Sequence, residues 1–491
     1  MKRLEKPLVN IAQLLRIIGL LMIFEGMFLI VPTLTCVYYG ESDWLQFAAT
    51  AVLTAGLGSI LMTRIHPRTG YMGKRDGFLL TALVWVIFSL FGMIPFLTCS
   101  SPMILSDAFF EAMSGFTTTG ASVFTSGAAM SHGVLIWRAL MQWIGGMGII
   151  LFTLAVVPML NHSGGMQMFN AEVTGITHDK IRPRISQTAK SLWMIYIALT
   201  LILVFLLWLG PMDVFDSVCH AFGAVSTGGF TNDTFDAVCY HSVYVKVILT
   251  VFMFLGGVNF GLIFKGFSGN FTAVKRNDVF RTYVLAIVAF YALFVLSTIV
   301  RGDFHSWRDI TVDPIFQVVS TITSTGYSPG NSHMWGSFVM ALMLMMMFSG
   351  ACAGSTSGGA KIDRMLFLFK NCRNEIYRTI HPNAIMSVRI NGRVVSPDLV
   401  GKVIAFLCIY MLLVAAGGTI LSALGVPVAD AFFSAFSCMS NTGFGAEITG
   451  YGATYELLPD AAKWLLSLLM LIGRLEIFTV LVLFAPAFWR K

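Results

Sequence analysis

Four short segments rich in hydroxyl groups end in the dipeptide Thr-Gly in this chain of 491 residues. These Thr-Gly loops, numbered 1 to 4 in chain order, cover residues 117–120, 225–228, 323–326 and 440–443, and their glycines lie 108, 98 and 117 residues apart. Such spacing indicates an internal repeat. Glycine adopts the dihedral angles that let successive carbonyl oxygens face one axis. Four loops around an axis could therefore replace the hydration shell of a cation.

The aligned loops define a candidate cation site. Each glycine is preceded by threonine, and the residue before that threonine is small and polar. The candidate residues, with the ion at their backbone carbonyls, are Thr118, Thr119, Gly120, Ser226, Thr227, Gly228, Ser324, Thr325, Gly326, Asn441, Thr442 and Gly443. A single Thr-Gly can simply cap a helix, but four copies at matching positions favour a cation site.

The composition predicts the elements that carry these loops. Hydrophobic residues make up 56% of the chain and charged residues 12%, against roughly 25% charged residues in a soluble domain. We predict an all-α polytopic membrane protein, with a first spanning helix at the N-terminus in place of a cleaved signal peptide. The ten predicted spans are about 11–38, 45–63, 78–98, 134–159, 190–210, 243–265, 281–300, 335–370 with an interruption after 352, 399–424 and 462–488.

A shorter apolar stretch precedes each Thr-Gly loop. These half-helices, predicted at 106–117, 214–226, 313–323 and 429–440, are too short to cross about 30 Å of hydrocarbon and fit re-entrant segments. An aspartate lies 13 residues before the glycine in three repeats and 12 residues before it in the second, at Asp216. We predict that each of these aspartates begins its half-helix as an N-cap.

The basic residues predict the orientation of the spans. Seven of the 32 lysines and arginines fall outside the termini and the loops 64–76, 160–190, 265–281 and 361–402, which leaves 25 on one side of the membrane. The positive-inside rule makes that side cytoplasmic, with both termini there and the Thr-Gly loops open to the outside. The predicted organisation is an N-terminal two-helix unit (1–70) and four helix–re-entrant loop–helix repeats around a pseudo-fourfold pore (71–170, 171–275, 276–390 and 391–491).

The repeats resemble the pore loops of the Trk/Ktr/HKT superfamily of cation transporters. The similar segments are Phe-Thr-Thr-Thr-Gly-Ala at 116–121, Ser-Thr-Gly-Gly-Phe at 226–230 and Ser-Asn-Thr-Gly-Phe at 440–444. Within the superfamily the chain resembles the bacterial Trk-type potassium-uptake pore subunit over essentially its whole length, since two extra N-terminal helices are a Trk-type feature. The resemblance implies a potassium selectivity filter formed by Gly120, Gly228, Gly326 and Gly443, with glycine at all four positions favouring K⁺ over Na⁺.

The second helix of each repeat carries a glycine at a comparable place, at 145–146, 256–257, 350 and 473. In the fourth repeat the next residue is Arg474, inside an apolar run. A charge at this depth is costly unless it pairs or faces water. We predict that Arg474 lies beneath the site and opposes a resident cation, as the family resemblance also implies. The alternatives are an ion pair with Glu476 or Asp460, or a salt bridge at the membrane interface.

The small-residue loop, defined as residues 349–361, interrupts the second helix of the third repeat. Eleven of its thirteen residues are small, and each glycine lowers helix stability by about 1 kcal/mol. We predict an intramembrane gate, with Gly350, Gly354, Ser355, Thr356, Gly358, Gly359, Lys361 and Arg474 as its residues; the resemblance points to the same role. Passive helix packing is the alternative. The loop does not match the Walker A order, because Ala360 and Lys361 follow Gly359.

Other candidate residues carry weaker signals. Glu25 and Glu111 could attract cations or simply serve at helix ends. His220 and His305 are predicted near the outer mouth, solvated or capping. The methionines at 343 and 345–347 point around a helix and favour packing over a metal site. The eight cysteines lack metal-ligand spacing, and the nine histidines form no HExxH motif, so we predict no enzyme.

These features favour potassium uptake across a bacterial inner membrane through a gated, channel-like pore. A K⁺/H⁺ or K⁺/Na⁺ coupled symporter is the alternative, although repeats of two helices each share one orientation, which favours a pore. Potassium is the expected ion, with no covalently bound cofactor and no nucleic-acid partner. The resemblance implies a homodimer and a cytosolic nucleotide-binding regulatory subunit, which would supply any nucleotide dependence and could dock on the basic face 361–393.

Overall fold

The computed structural model describes residues 8–67, 72–124, 130–156, 185–232, 242–302, 306–329, 335–384, 386–446 and 455–490. The predicted segment 160–190 lies largely outside these residues, as does His305. Almost all of the described regular structure is helical, which agrees with the predicted all-α class.

The N-terminal unit is a pair of packed helices. Its helices are Ile11–Phe28, continued by Ile30–Tyr39, and Trp44–Arg64. A Cβ atom on Gly19 would lie 2.7 Å from the carbonyl oxygen of Gly58, and one on Gly26 would lie 2.8 Å from the Cβ of Ala55. Small residues let two backbones approach closely where lipid provides no hydrophobic driving force between helices. The sequence therefore fixes this contact through its glycines and alanines.

Each repeat has a first helix, a half-helix and a second helix. The first helices are Lys74–Gly92 (continued by Ile94–Thr98), Ile185–Trp208, Asp278–Arg301 and Pro397–Ala423. The half-helices are Leu105–Phe116, Val214–Ser226, Trp307–Ile322 and Val428–Met439. Half-helix 3 begins six residues earlier than predicted and contains Pro314.

The second helices differ most from the sequence-based expectation. In repeat 1 the helix runs unbroken over His132–Val156. In repeats 2 and 4 each predicted span is divided into two helices: Val243–Gly256 and Phe260–Phe267 meet at 106°, and Asp460–Arg474 and Ile477–Phe484 meet at 116°. In repeat 3, Gly336–Ser349 and Ile362–Ile380 flank the small-residue loop. Three second helices therefore break at, or within two residues after, the glycine noted in the sequence.

Local chemistry explains two of these breaks. After Gly257, the side chain of Asn259 accepts a hydrogen bond from the Leu262 amide and starts a new helix. In repeat 4, Glu476 has a φ of 60°, which an α-helix cannot contain. Non-helical backbone at this depth requires protein partners or a water-filled cavity.

Six continuous helices in the described residues are long and apolar enough to cross a membrane. They are Ile11–Tyr39, Trp44–Arg64, Lys74–Thr98, Lys190–Trp208, Asp278–Arg301 and Leu399–Ala423, and the two bent pairs make up to eight. The basic segment after repeat 3 adds a short hairpin that the sequence-based description lacked. Arg389–Ile390 pairs with Arg393–Val394 through Asn391 and Gly392, both with positive φ, as a two-residue hairpin turn requires.

Remaining short helices are Phe271–Lys275 and Pro486–Trp489, with a 3₁₀ turn at Tyr455–Leu457.

Candidate cation site and small-residue loop

The four half-helices end in the same way. The amides of Thr119, Gly228, Thr325 and Thr442 each donate to the carbonyl five residues earlier, over 2.8–3.0 Å. The amide one residue before each of these donates to the carbonyl three residues earlier. These are the bonds of a helix that ends in a left-handed residue. The Thr-Gly loops are thus four copies of one backbone motif.

The left-handed residue reveals the register of the repeats. It is Thr118, Ser324 and Asn441 in repeats 1, 3 and 4, two residues before the loop glycine, with φ of 52°, 55° and 54°. In repeat 2 it is Thr227, with φ of 54°, so the equivalent glycine is Gly229. Gly120, Gly229, Gly326 and Gly443 all have φ between 80° and 87°.

The alignment of repeat 2 is therefore one residue off in the sequence analysis. Gly228 occupies the position of Thr119, and Ser226 that of Thr117. With this correction Asp216 lies 13 residues before Gly229, so the aspartate spacing is the same in all four repeats.

The four glycines form a closed ring of contacts. A Cβ atom on Gly120 would overlap the carbonyl oxygen of Gly228, and one on Gly229 would overlap that of Thr325. The same relation links Gly326 to Thr442 and Gly443 to Thr119. Each glycine thus lies against the carbonyl that precedes the glycine of the next repeat. A side chain at any of the four would push a carbonyl of its neighbour out of place.

Hydroxyl pairs support three of the four loops. The side chains of Thr117 and Thr119 lie 2.8 Å apart, as do those of Thr323 and Thr325 and those of Ser440 and Thr442. Gly228 has no hydroxyl, so this pair is missing from loop 2. The amide of Phe230 in loop 2 instead donates to Gln142 Oε1 over 3.2 Å. The ring is fourfold in its backbone and less symmetric in its side chains.

The repeated aspartates are not N-caps. The N-cap residues of half-helices 1, 2 and 4 are Ile104, Asp213 and Pro427, and the repeated aspartate lies in the first turn. Two of the aspartates pair with a lysine from the second helix of the preceding repeat. Lys246 Nζ lies 2.5 Å from Asp313 Oδ1, and Lys463 Nζ lies 2.5 Å from Asp107 Oδ1. No local pattern indicates this role, because the partners are 67 and 356 residues apart in the sequence.

The small-residue loop contacts three of the four Thr-Gly loops. The amide of Gly358 donates to Ser324 Oγ over 2.5 Å, and that of Gly359 donates to the Ser440 carbonyl over 3.0 Å. Thr356 Oγ1 donates to the Val225 carbonyl over 3.2 Å. All three contacted residues precede the ring of glycines along the chain. Three of the predicted gating residues, Thr356, Gly358 and Gly359, thus lie directly against the candidate cation site.

The small-residue loop is also tied to the break in the second helix of repeat 2. The amide of Cys352 donates to the Gly257 carbonyl over 3.1 Å, and Asn259 Nδ2 donates to the Ala353 carbonyl over 2.6 Å. The Gly354 carbonyl accepts from the amide of Phe260 over 3.0 Å. Asn259 was not among the residues predicted from the sequence, although asparagine is a preferred N-cap residue.

Within the loop, left-handed backbone and internal bonds give a compact fold. Gly350, Gly354, Gly359 and Lys361 have φ between 59° and 75°. Ser355 Oγ donates to the Cys352 carbonyl over 2.6 Å, and Lys361 Nζ donates to the Ser357 carbonyl. Glycine is favoured at the first three positions because a side chain strains this conformation.

Arg474 joins the small-residue loop to repeat 1. Its Nη1 donates to the Thr356 carbonyl over 2.8 Å, and its Nη2 donates to the Gly145 carbonyl over 2.9 Å. The predicted ion-pair alternatives do not occur: Glu476 pairs with Arg364, and Asp460 accepts from Ser106 Oγ over 2.8 Å. In the described part of the chain, Arg474 has no carboxylate partner.

Three further predicted residues lie away from solvent. His220 is buried, with Nδ1 2.7 Å from the Asp216 carbonyl, so the solvated alternative for it is wrong. Glu25 is buried, and its Oε1 would lie 3.5 Å from a Cβ on Gly92. Glu111 is buried against Arg138, with Nε 2.7 Å from Oε1.

The comparisons with known proteins agree with this architecture. The family model for TrkH, described as a cation transport protein, matches residues 45–491. The chain belongs to the TrkH family of cation transport proteins. This confirms the resemblance noted in the sequence, and it agrees with the expectation that the chain is not an enzyme.

The relatives match over nearly their whole length. The chain is 36% identical to the Trk system potassium uptake protein TrkH of Escherichia coli strain K12, covering 97% of this chain and 99% of that protein. It is 33% identical to TrkH of Vibrio parahaemolyticus over 97% of this chain. The crystal structure of the potassium transporter TrkH from Vibrio parahaemolyticus superposes with a TM-score of 0.88 at 31% identity, covering 98% of this chain and all of that one. The chain is therefore a polytopic membrane protein of this family.

Proposed function

We propose that the chain takes up potassium through a channel-like pore whose selectivity filter is formed by the four Thr-Gly loops. The observation that carries the proposal is the closed ring in which each of four glycines lies against a carbonyl of the next repeat. Four such loops supply a cage of backbone oxygens able to replace the water around a dehydrated cation. The relatives from Escherichia coli and Vibrio parahaemolyticus are named as potassium uptake proteins.

The filter glycines in this proposal are Gly120, Gly229, Gly326 and Gly443. Gly228 contributes the carbonyl before the second filter glycine, as Thr119, Thr325 and Thr442 do in their repeats. Their positive φ values fit a backbone that turns its carbonyls toward one axis.

In the same proposal, the small-residue loop and Arg474 form the gate. The loop contacts Val225, Ser324 and Ser440, and the Arg474 guanidinium holds the Thr356 carbonyl. These contacts support a blocked state in which the loop lies under the filter. Conduction then requires the loop to leave this position and break the Arg474–Thr356 bond.

The remaining parts of the proposal concern the setting of the pore. The protein resides in the bacterial inner membrane with both termini in the cytoplasm, as the distribution of basic residues favours. It works as a homodimer with a cytosolic nucleotide-binding subunit. The helix Ile362–Ile380 and the hairpin after it provide a basic face for that subunit, and the helix is directly connected to the small-residue loop.

Flux measurements on the full chain in proteoliposomes test the proposal. Vesicles loaded with K⁺ are diluted into K⁺-free buffer that contains tracer Rb⁺, and Rb⁺ uptake is compared with that of empty vesicles. We expect uptake that depends on the protein and is blocked by external K⁺ more strongly than by Na⁺. No Rb⁺ uptake, with or without a cytosolic partner, contradicts the potassium proposal.

The same vesicles distinguish a pore from a coupled symporter. A pH-sensitive dye inside the vesicles reports proton entry, and an external Na⁺ gradient tests coupling to sodium. In a pore, the K⁺ gradient alone sets the potential at which flux reverses. A reversal that shifts with the proton or sodium gradient favours the symporter.

A further inference from the structure

A buried ion pair lies behind Thr-Gly loop 1. Glu111, in half-helix 1, is fully buried, and Arg138, in the second helix of repeat 1, is 3% exposed. Glu111 accepts three hydrogen bonds: from Arg138 Nε over 2.7 Å, from Ser122 Oγ over 3.1 Å and from the amide of Val123 over 3.0 Å. The carboxylate therefore fixes the two residues that follow Gly120 and Ala121.

The guanidinium of the same pair reaches the residues that directly follow Thr-Gly loop 2. Arg138 Nη2 donates to Ser122 Oγ over 2.9 Å, and Nη1 donates to the Thr231 carbonyl over 3.3 Å. Its central carbon lies 4.3 Å from the ring centre of Phe230, the residue after the second filter glycine. A planar guanidinium can donate in several directions while its face stacks on an aromatic ring. One side chain thus spans the outer ends of loops 1 and 2.

This arrangement occurs once among the four repeats. The residues that match Glu111, nine before each filter glycine, are His220, Gln317 and Ser434. Between loops 2 and 3 the bridge is neutral, with Tyr327 Oη donating to the His220 carbonyl over 3.3 Å. Between loops 4 and 1, Tyr455 bonds to the carbonyls of Ser122 and Phe444. A charged pair therefore connects the segments after loops 1 and 2, where tyrosine hydrogen bonds connect the other neighbouring loops that are described.

Two other ion pairs between neighbouring repeats lie farther from the filter glycines along the chain. The pair Lys463–Asp107 lies at the first turn of half-helix 1, and the pair Lys246–Asp313 lies in the body of half-helix 3. Both pairs join neighbouring repeats away from the ring of glycines. Glu111 and Arg138 instead bond to residues within three positions of two filter glycines.

We propose that the Glu111–Arg138 pair determines ion specificity by positioning: it holds the outer ends of loops 1 and 2 at the spacing at which the site discriminates K⁺ from Na⁺. This inference rests on the proposed function. Neither side chain needs to touch the ion. Protein interiors are closely packed, so small shifts of one loop change the positions of its neighbour. If the contacts of Glu111 and Arg138 with the two loops are lost, the distances between the backbone carbonyl oxygens around the ion can therefore change.

Two variants distinguish the charge of Arg138 from its hydrogen bonds to both loops. Arg138→Lys keeps a positive charge beside Glu111, but its single nitrogen cannot reproduce the planar fork in which three separate guanidinium nitrogens reach Glu111, Ser122 and Thr231. The double variant Glu111→Leu with Arg138→Met removes both charges, and replacing a buried pair by apolar residues is often tolerated. Both variants lose the bridge, and neither leaves an unpaired buried charge.

The matched control is the double variant Lys246→Met with Asp313→Leu. It removes an ion pair between a buried lysine and a partly exposed aspartate that also crosses between repeats, and its aspartate lies 13 residues before the filter glycine Gly326. The assay is Rb⁺ uptake by the full chain in proteoliposomes. The measured quantity is the ratio of the Na⁺ to the K⁺ concentration that halves uptake.

We expect Arg138→Lys and the Glu111/Arg138 double variant to insert and to lower this ratio by about tenfold, the effect of one charge-assisted hydrogen bond. We expect the control to keep the wild-type ratio. A wild-type ratio in Arg138→Lys overturns the proposal, as does an equal fall in the control; if the double variant fails to insert, Arg138→Lys alone decides. Absence of Rb⁺ uptake by the wild-type chain is a separate result, which overturns the proposed function itself.

Discussion

Replacing Arg474 tests whether the small-residue loop is a gate. Arg474→Met removes the guanidinium that donates to the Thr356 carbonyl over 2.8 Å and to the Gly145 carbonyl over 2.9 Å. Only the first of these bonds must break when the loop moves. A hydrogen bond from a charged donor contributes roughly 1.5–3 kcal/mol, so its loss favours the displaced loop by about 10- to 100-fold.

Rb⁺ flux without a cytosolic partner measures this change. We expect Arg474→Met to raise it by about 10- to 100-fold. Removing a positive charge beneath the filter also favours a cation there, so Arg474→Lys serves as the control that keeps the charge. Lysine retains a donor for one carbonyl but not the two-carbonyl fork, and we expect its flux to lie between those of the wild type and Arg474→Met. Flux in Arg474→Met at or below the wild-type level, with normal insertion, refutes the reasoning.

Three further predictions follow from other contacts. Gly229→Ala forces a Cβ onto the Thr325 carbonyl at positive φ and should reduce Rb⁺ flux more than about tenfold. In Gly228→Ala the three atoms nearest to the new Cβ belong to the Gln142 side chain, which can move, so the flux should fall less; equal losses contradict the corrected register. Asn259→Ala removes a helix cap and a 2.6 Å bond to the small-residue loop, so the free energy of unfolding should fall by about 2 kcal/mol in a thermal or denaturant assay. Lys246→Met alone leaves the Asp313 carboxylate without its lysine and should lower that free energy by roughly 3 kcal/mol, most of it recovered by adding Asp313→Leu; no recovery shows that the lysine acts through packing.

Local sequence was sufficient for the repeated elements. Apolar length predicted the half-helices, because a stretch of about twelve residues cannot span a bilayer. Four Thr-Gly dipeptides predicted the loops, since glycine is the residue that tolerates positive φ. The glycine-rich run at 349–361 predicted a break in the third repeat, where the structure ends one helix at Ser349 and starts the next at Ile362.

Contacts between residues that are far apart in the sequence could not be predicted from local patterns. In repeat 2 the aspartate spacing favours the second of two adjacent glycines, and the structure places that glycine, Gly229, against the Thr325 carbonyl, 96 residues later. The charged partner of Asp107 lies in the last repeat. Glu476 and Asp460 were reasonable partners for Arg474 by proximity in sequence, yet two backbone carbonyls hold it instead.

By itself, the sequence determined that this protein crosses a membrane, carries four related loops and interrupts its third repeat. These properties depend on apolar length and on the backbone freedom of glycine, which act over a few neighbouring residues. Only the tertiary structure decided which carbonyl each glycine of the ring contacts, what Arg474 holds, and that Arg138 bridges loops 1 and 2. Those outcomes depend on which groups from different repeats meet when four similar units pack around one axis, and no local pattern contains that information.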